Sequence, residues 1–388
     1  MRTYTQIALA SLLATTLAGQ AAAVTPLQTV FTGSNSNVNT VTQTATRATT
    51  NGTATTTTPA GSPLAAPSVL ISKFDTTTGI LVGARVNVSG VVNSVSSRVN
   101  ATVPAGGSNT GKIATANSSN FVGVVSGTGF SAITGTAVSS QRVCSTATVP
   151  CTTSPSQAST GATTTLAGSA TVATASLGSY AANDGSSVAL ARTATGTTSV
   201  TTGNRATNAT ATSQFSFNGG SYAITYDYLL FSQPSFDGNS QVTGLSLDLG
   251  RLRLSGSRTV NFTFYNLPDS SVPNGVDHTA GASLISITPA SQGGPFSISA
   301  TPFTNLLAGA STTYQVTFAP TAHGVSTNSY TFLFRDYAPG GIGQQDTQLT
   351  LDVTGTTVPE PGSWVLLMAG FGLVGITARR RRQRVVAA

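Results

Sequence analysis

LDLGRLRLSGSRTVNFTFYN, residues 247–266, decides the fold of this chain. Leu247 and Leu249, then Leu252 and Leu254, then Val260, Phe262 and Phe264 alternate with polar or small neighbours, the two-residue period of strands that bury one face. Gly250 shifts the first alternation by one residue, as a β-bulge or tight turn does. The same period returns at Ile285 and Ile287, Phe296 and Ile298, Tyr314 to Phe318, Tyr330 to Phe334 and Leu349 to Val353. Seven or eight short strands in about 110 residues, punctuated by Gly, Pro and Asn, predict an immunoglobulin-like β-sandwich over 244–355. It lacks the antibody-type Cys-Trp-Cys core, because both cysteines lie upstream and the single tryptophan, Trp364, lies downstream.

Working outward, Ser232–Thr243 reads SQPSFDGNSQVT, the composition of an interdomain linker. Before it, Val82, Ala84, Val86 and Val88 alternate with Gly83, Arg85, Asn87 and Ser89, and Val99, Ala101 and Val103 repeat the pattern. Residues 106–212 are rich in Ser, Thr, Ala and Gly, with Phe121, Phe130 and Tyr180 their only aromatics. Short strands around a thin core of small residues fit this stretch, with turns such as Asn183-Asp184-Gly185; partial disorder is the alternative. The region closes on Phe215, Phe217, Tyr222, Ile224, Tyr226, Tyr228 and Leu230, again alternating, so 68–231 forms a second β domain. Residues 24–67 offer little apolar surface to offset chain entropy and read as a flexible lead-in, or as one edge strand. The fold class is all-β: two extracellular β-sandwich-like modules between an N-terminal signal peptide and a short C-terminal transmembrane helix.

Two resemblances bear on these modules. Residues 247–266, with Leu306-Leu307-Ala308-Gly309-Ala310, Thr317-Phe318-Ala319-Pro320 and Asp352-Val353-Thr354-Gly355, resemble the immunoglobulin-like domain called choice-of-anchor D, or ASH-like. That family implies a scaffold or binding module with no catalytic residues. Phe74-Asp75, Gly79-Ile80-Leu81 and Tyr226-Asp227-Tyr228 resemble a choice-of-anchor E domain, an extracellular β module that accompanies sorting tails.

Both termini carry addresses. The chain begins with one arginine, an apolar core from Ile7 to Leu17 and the small residues Ala21-Ala22-Ala23. This is the layout of a signal peptide, residues 1–23, read by the Sec translocon and cut after Ala23 with Ala21 and Ala23 at the cleavage site. An N-terminal membrane anchor is the alternative.

At the other end stands VPEPGSWVLLMAGFGLVGITARRRRQR, residues 358–384. Trp364–Ala378 has no charge, and as a helix it measures about 22 Å, short of the roughly 30 Å hydrocarbon core. Arg379, Arg380, Arg381, Arg382 and Arg384 form a cytoplasmic stop signal and can snorkel to the headgroups. Pro359 and Pro361 hold Glu360, the only glutamate in the chain, in an extended backbone. Pro359, Glu360, Pro361 and Trp364, with the apolar run and the arginines, resemble the PEP-CTERM sorting signal. The resemblance implies processing by exosortase, a membrane-embedded enzyme of Gram-negative bacteria, after transient residence in the inner membrane. A plain tail anchor is the alternative.

The formal charge of +7 suggests an acidic partner at first. Arg2 and the five tail arginines account for most of it, leaving twelve basic against ten acidic residues over 24–357. That balance holds no basic stripe, so no nucleic-acid partner is expected. Cys144 and Cys151 read as a disulfide in an oxidising compartment; a metal site is disfavoured because no third or fourth ligand lies near. No metal or cofactor is expected.

Catalytic patterns are missing too: the sequence has no G-x-S-x-G, H-E-x-x-H or D-x-D-x-D-G. His278 and His323 sit in polar, turn-like contexts and read as solvated. A triad assembled from one of them with Asp277 or Asp336 and any of many serines has little information content. The expectation is therefore a non-enzymatic, exported envelope or extracellular-matrix protein associated with exopolysaccharide. The alternative is a surface binding module for polysaccharide or protein, with Tyr180, Tyr265 or Tyr337 as an aromatic platform.

Overall fold

The computed structural model describes residues 24–34, 39–48, 54–58, 64–102, 112–145, 159–203, 208–269, 277–358 and 361–385. Its described residues are almost entirely strand, with one 3₁₀ turn and one α-helix. In the first module, β1 (Leu27–Ser34), β2 (Asn39–Ala48), β3 (Ala54–Thr58), β4 (Leu64–Ser72) and β5 (Phe74–Asp75) precede the long β6 (Ile80–Thr102). Then come β7 (Lys112–Ser126), β8 (Ile133–Thr134), β9 (Val138–Ser145), β10 (Ser159–Thr171), the 3₁₀ turn Thr174–Tyr180, β11 (Ala181–Ala182), β12 (Ser187–Thr202), β13 (Asn208–Asn218) and β14 (Ser221–Leu229).

Several of these lie end to end and act as single long strands. β14 and β13 together follow the whole length of β6, from Leu229 opposite Ile80 to Asn208 opposite Thr102. β1 and β2 line the far edge of that same pair. β3 and β4 share one edge of β12, and β8 and β9 share one edge of β7. Counted this way, the described residues of this module form eight long strands. One sheet takes the first, eighth, third and sixth in chain order, and the other takes the second, seventh, fourth and fifth. That wrapping is the jelly roll of two Greek keys.

Its interior divides along the strands. The end nearer Ile80 holds Phe74, Phe121, Phe215, Phe217, Tyr222 and Tyr226. The other end is built from Val99, Val200, Cys144 and six buried alanines, the thin small-residue core read from composition. Between them the hydroxyls of Ser97, Ser118, Ser213 and Thr198 are linked in a chain that ends on the Gln43 side chain, joining the two sheets.

The lead-in over 24–67 corrects the sequence reading. Its described part supplies β1, β2, β3 and the start of β4, not a flexible tail or a single edge strand. Threonine-rich segments bury little surface themselves, yet they satisfy the open edges of β12, β13 and β14 with backbone hydrogen bonds, which composition does not register.

The second module contains β15 (Pro234–Ser235), β16 (Gly244–Leu252), β17 (Arg258–Asn266), β18 (Gly281–Pro289), β19 (Phe296–Ile298), β20 (Phe303–Leu306), β21 (Ser311–Phe318), β22 (Gly324–Tyr337) and β23 (Asp346–Thr357). One sheet runs β15-β17-β21-β19 and the other β16-β23-β22-β18-β20. β16 pairs in parallel with β23, and the other pairings are antiparallel. This is an immunoglobulin-like sandwich. Phe236, Phe262, Phe264, Phe318, Phe332 and Phe334 fill its centre, and of the alternating residues of the opening motif Leu247, Leu249, Leu252 and Val260 pack there too, while Leu254 lies in the turn after β16. Gly250 has a φ of 76° and sits at a register shift between Asp248 and Arg251, the bulge expected from sequence.

The segment 232–243, expected as a linker, is part of this module. Ser235 is buried, its hydroxyl donating to the Ser240 carbonyl at 2.7 Å and accepting the Val242 N–H at 2.9 Å. The Phe236 ring packs 5.4 Å from Phe264. Polar composition marked the segment as a loop, and internal hydrogen bonds make that loop rigid.

Candidate functional site

Two places on the molecule can carry function: the tail and the joint between the modules. The tail leaves from the end of β23, where the Val358 N–H donates to the Leu252 carbonyl at 2.8 Å. α1 (Pro361–Val385) follows. Proline starts the helix because its missing N–H is an orphan there anyway. The side chains from Trp364 to Ile376 stand in solvent, Trp364 58% exposed and Leu366 76%. Arg379 and Arg380 continue the same exposed helix.

The transmembrane helix expected over 364–378 needs correction. The segment is helical, but among the described residues no helix is long and apolar enough to cross a membrane. Fifteen uncharged residues stop about 8 Å short of a bilayer core, and the arginines that follow end the apolar stretch. Pro359 and Glu360 lie outside the described residues, as do Ala21, Ala23 and Cys151; for Arg381, Arg382 and Arg384 the structure gives helical backbone. Cys144 is fully buried and disulfide-bonded.

The joint is built from strand ends. Leu81 and Ile342 exchange both backbone hydrogen bonds at 2.9 Å. The Leu230 N–H donates to the His278 carbonyl at 3.0 Å, and the Ala280 N–H to the Leu230 carbonyl at 2.9 Å. Ile80, Leu229, Ala280 and Ala338 bury a shared apolar cluster beneath these bonds, with Val24, Val82 and Phe231 packed on it.

Asp336 is a buried acceptor at the same place. Its Oδ1 takes the Ser232 N–H at 2.8 Å and the Ser232 hydroxyl at 2.6 Å, while its Oδ2 takes the Gln345 N–H at 2.7 Å. These contacts commit both oxygens to holding the chain as it enters the second module.

His278 is likewise not the solvated residue expected. It is only 8% exposed, and its Nδ1 donates to the Thr25 carbonyl, tying the N-terminal segment across the joint. His323 stays exposed in its turn. Nothing in the local sequence of His278 signals this burial, because its partner Thr25 lies 253 residues upstream, just before the first strand of the other module.

The three candidate tyrosines separate. Tyr180 is fully buried, donating its hydroxyl to the Thr128 carbonyl at 2.7 Å, and burial pushes its phenol up to about 12. It is no platform. Tyr265 is half-buried on β17 beside Gly238, and Tyr337 is 37% exposed at the joint. Tyr337 faces a cleft of about 370 Å³ lined from the first module by Val24, Pro26, Val82 and Leu229 and from the second by Gly281, Asn305, Leu307, Ala338 and Pro339. Asp184 and Asp237 are turn residues, accepting from the Ser186 N–H at 2.9 Å and the Ser240 hydroxyl at 2.7 Å. Those hydrogen bonds lower both carboxyls below the usual range. Among the described residues, no group of three or more His, Cys, Asp or Glu side chains is placed to hold a metal.

Fold and tail together define a class: an all-β, two-module body that ends in a processing signal. Residues 357–382 match the PEP-CTERM protein-sorting motif, which marks the chain as an exported protein targeted to exosortase. No curated protein matches the sequence. Among solved structures, the VesB protease of Vibrio cholerae aligns at 16% identity and a TM-score of 0.23 over 36% of this chain and 38% of that one. The ASH/PapD-like domain 7 of human CEP192 aligns at 8% identity and a TM-score of 0.24 over 33% of this chain and 87% of that one. The chain thus spans well under half the length of VesB, and similarity at these scores carries neither fold nor chemistry.

Proposed function

We propose that this protein is a structural component of the cell envelope or extracellular matrix, delivered through the Sec translocon and freed or re-anchored when exosortase acts at Pro359-Glu360-Pro361. In this reading the mature body is retained with exopolysaccharide and does no chemistry of its own. The observation that carries it is the sorting motif over 357–382, whose part from Pro361 onward lies on an exposed helix beyond the last strand of the β body. A tail at the end of the chain, projecting clear of both modules, is accessible to a membrane enzyme without unfolding the cargo. The low charge of the body, twelve basic against ten acidic residues over 24–357, suits an environment of hydrated polysaccharide better than one of nucleic acid.

The test compares the wild type, Glu360→Ala and the wild type in an exosortase-null host by immunoblot and fractionation. The wild type is expected as a shorter product outside the inner membrane, and the other two as the full-length precursor. Identical mass and location in all three would falsify the sorting role.

A second reading is a non-catalytic binding module. It is favoured by one observation, the partly exposed Tyr337 in a cleft between the modules.

A further inference from the structure

We propose that the cleft between the modules is a binding site for one uncharged sugar ring of a polysaccharide, a proposal that deepens the binding-module reading and rests on it. The cleft holds about 370 Å³ and takes walls from both modules, which is the size and position at which small-molecule sites commonly form. Among the described residues, its lining contains no Asp, Glu, Lys, Arg or His. Such a lining offers nothing to a phosphate, a carboxylate or an ammonium group and disfavours burying one.

The lining is not purely aliphatic either. Tyr337 presents a partly exposed aromatic ring at the C-terminal end of β22. Asn305 lies beside it in the same sheet, across Gly281 of β18, on β20 at the register shift in the β18–β20 pairing and with a φ of 59°. Its backbone N–H donates to the Ser283 hydroxyl at 3.1 Å, which fixes that left-handed turn. The side-chain amide lies over Gly281, where a Cβ would come within 2.1 Å of Asn305 Oδ1. The amide therefore reaches the cleft only because residue 281 has no side chain.

An exposed ring beside an amide, in a setting otherwise of Val, Leu and Pro, suits an amphipathic guest. A pyranose has such a form: its C–H face can stack on Tyr337, and its equatorial hydroxyls can donate to Asn305 Oδ1 and accept from Nδ2. A purely apolar guest would strip water from the amide and return no hydrogen bond.

The experiment titrates the secreted wild-type protein with neutral cello-, manno-, xylo- and chito-oligosaccharides by calorimetry. It then repeats the titration with Tyr337→Ala, Tyr337→Phe and Asn305→Gly, the glycine keeping the left-handed backbone while deleting the amide. Thermal unfolding of each variant checks the fold. Saturable binding is expected for at least one oligosaccharide. It should weaken about tenfold or more in Tyr337→Ala and severalfold in Asn305→Gly, and be largely kept in Tyr337→Phe. Binding that persists unchanged in folded Tyr337→Ala and Asn305→Gly overturns the cleft while leaving the binding-module reading in place. No binding of any of these sugars overturns the cleft proposal and the neutral-polysaccharide form of the binding-module reading with it.

Discussion

Arg192 shows how a single residue repairs a local fault in the sheet. Pro67 interrupts β4, and the β4–β12 register shifts between Leu190 and Arg192, the bulge that proline imposes on a ladder. The Arg192 guanidinium turns back to donate both Nε, at 2.8 Å, and Nη2 to the Pro67 carbonyl. It then lies 5.6 Å from the Phe217 ring centre and 5.8 Å from that of Tyr222. The side chain is 1% exposed, and among the described residues no carboxylate pairs with it. A fork-shaped, weakly hydrated cation that can stack on rings suits this site, and a compact ammonium does not. Arg192→Lys should therefore destabilise the protein by about 2 kcal/mol or more, whereas Arg192→Met, which buries no charge, should cost less. Denaturant midpoints of the two variants measure the order; a lysine variant more stable than the methionine one contradicts it. No local pattern announces Arg192, because its partners lie 125 residues upstream and 25 or more downstream. Gly250, by contrast, was legible, since it breaks a period that its own neighbours establish.

At the scale of elements, the alternating runs were readable wherever bulky side chains mark the buried face, as in β17, β21, β22 and β23. The jelly-roll wrapping was not. It depends on pairings such as Leu27 with Tyr228 and Asn39 with Phe217, between segments nearly two hundred residues apart whose threonines carry no face-specific signal. The junction of β13 and β14 makes the continuity of the strand they form together testable. Gly219 and Gly220 have φ values of 61° and 88°. A Cβ on Gly219 meets nothing within 4 Å, but one on Gly220 would lie 2.4 Å from Val91 Cγ2 and 2.8 Å from Val91 Cα. The two-glycine step lets the strand absorb a kink opposite Gly90 while keeping both halves on β6. Gly220→Ala should cost about 2–3 kcal/mol, from a left-handed backbone plus a clash with main chain. Gly219→Asn should cost well under 1 kcal/mol, because asparagine tolerates that region of φ and has open space there. Equal losses of thermal stability would show that the junction does not hold the close approach described.

For the whole molecule, the joint and the tail lie at opposite ends of the second module. β23 starts at Asp346, one residue after Gln345 donates to Asp336 at the joint. Eleven residues later it ends at Thr357, about 36 Å away at the strand rise of roughly 3.3 Å. The exported body therefore stands off from whatever holds α1, with the cleft farther out still. What holds α1 follows from its apolar length: the run Trp364–Ala378, about 22 Å as helix, is too short to span unaided, and its glycines, Gly370, Gly372 and Gly375, weaken the helix further. Such a tail suits an enzyme that must take hold of it and cut, and it suits a permanent anchor poorly. Inserting six leucines between Ile376 and Thr377 brings the apolar run that starts at Trp364 to about 21 residues, enough for a roughly 30 Å core. In an exosortase-null host, the wild-type precursor should be released from membranes by alkaline carbonate to a substantial extent, and the lengthened variant should stay in the pellet. In the exosortase-positive host, the lengthened tail should slow removal, leaving more full-length protein than wild type on a pulse-chase immunoblot. Equal resistance to carbonate in both proteins would show that the native helix is already a stable anchor, and the shortness of its apolar run would then have no role in processing.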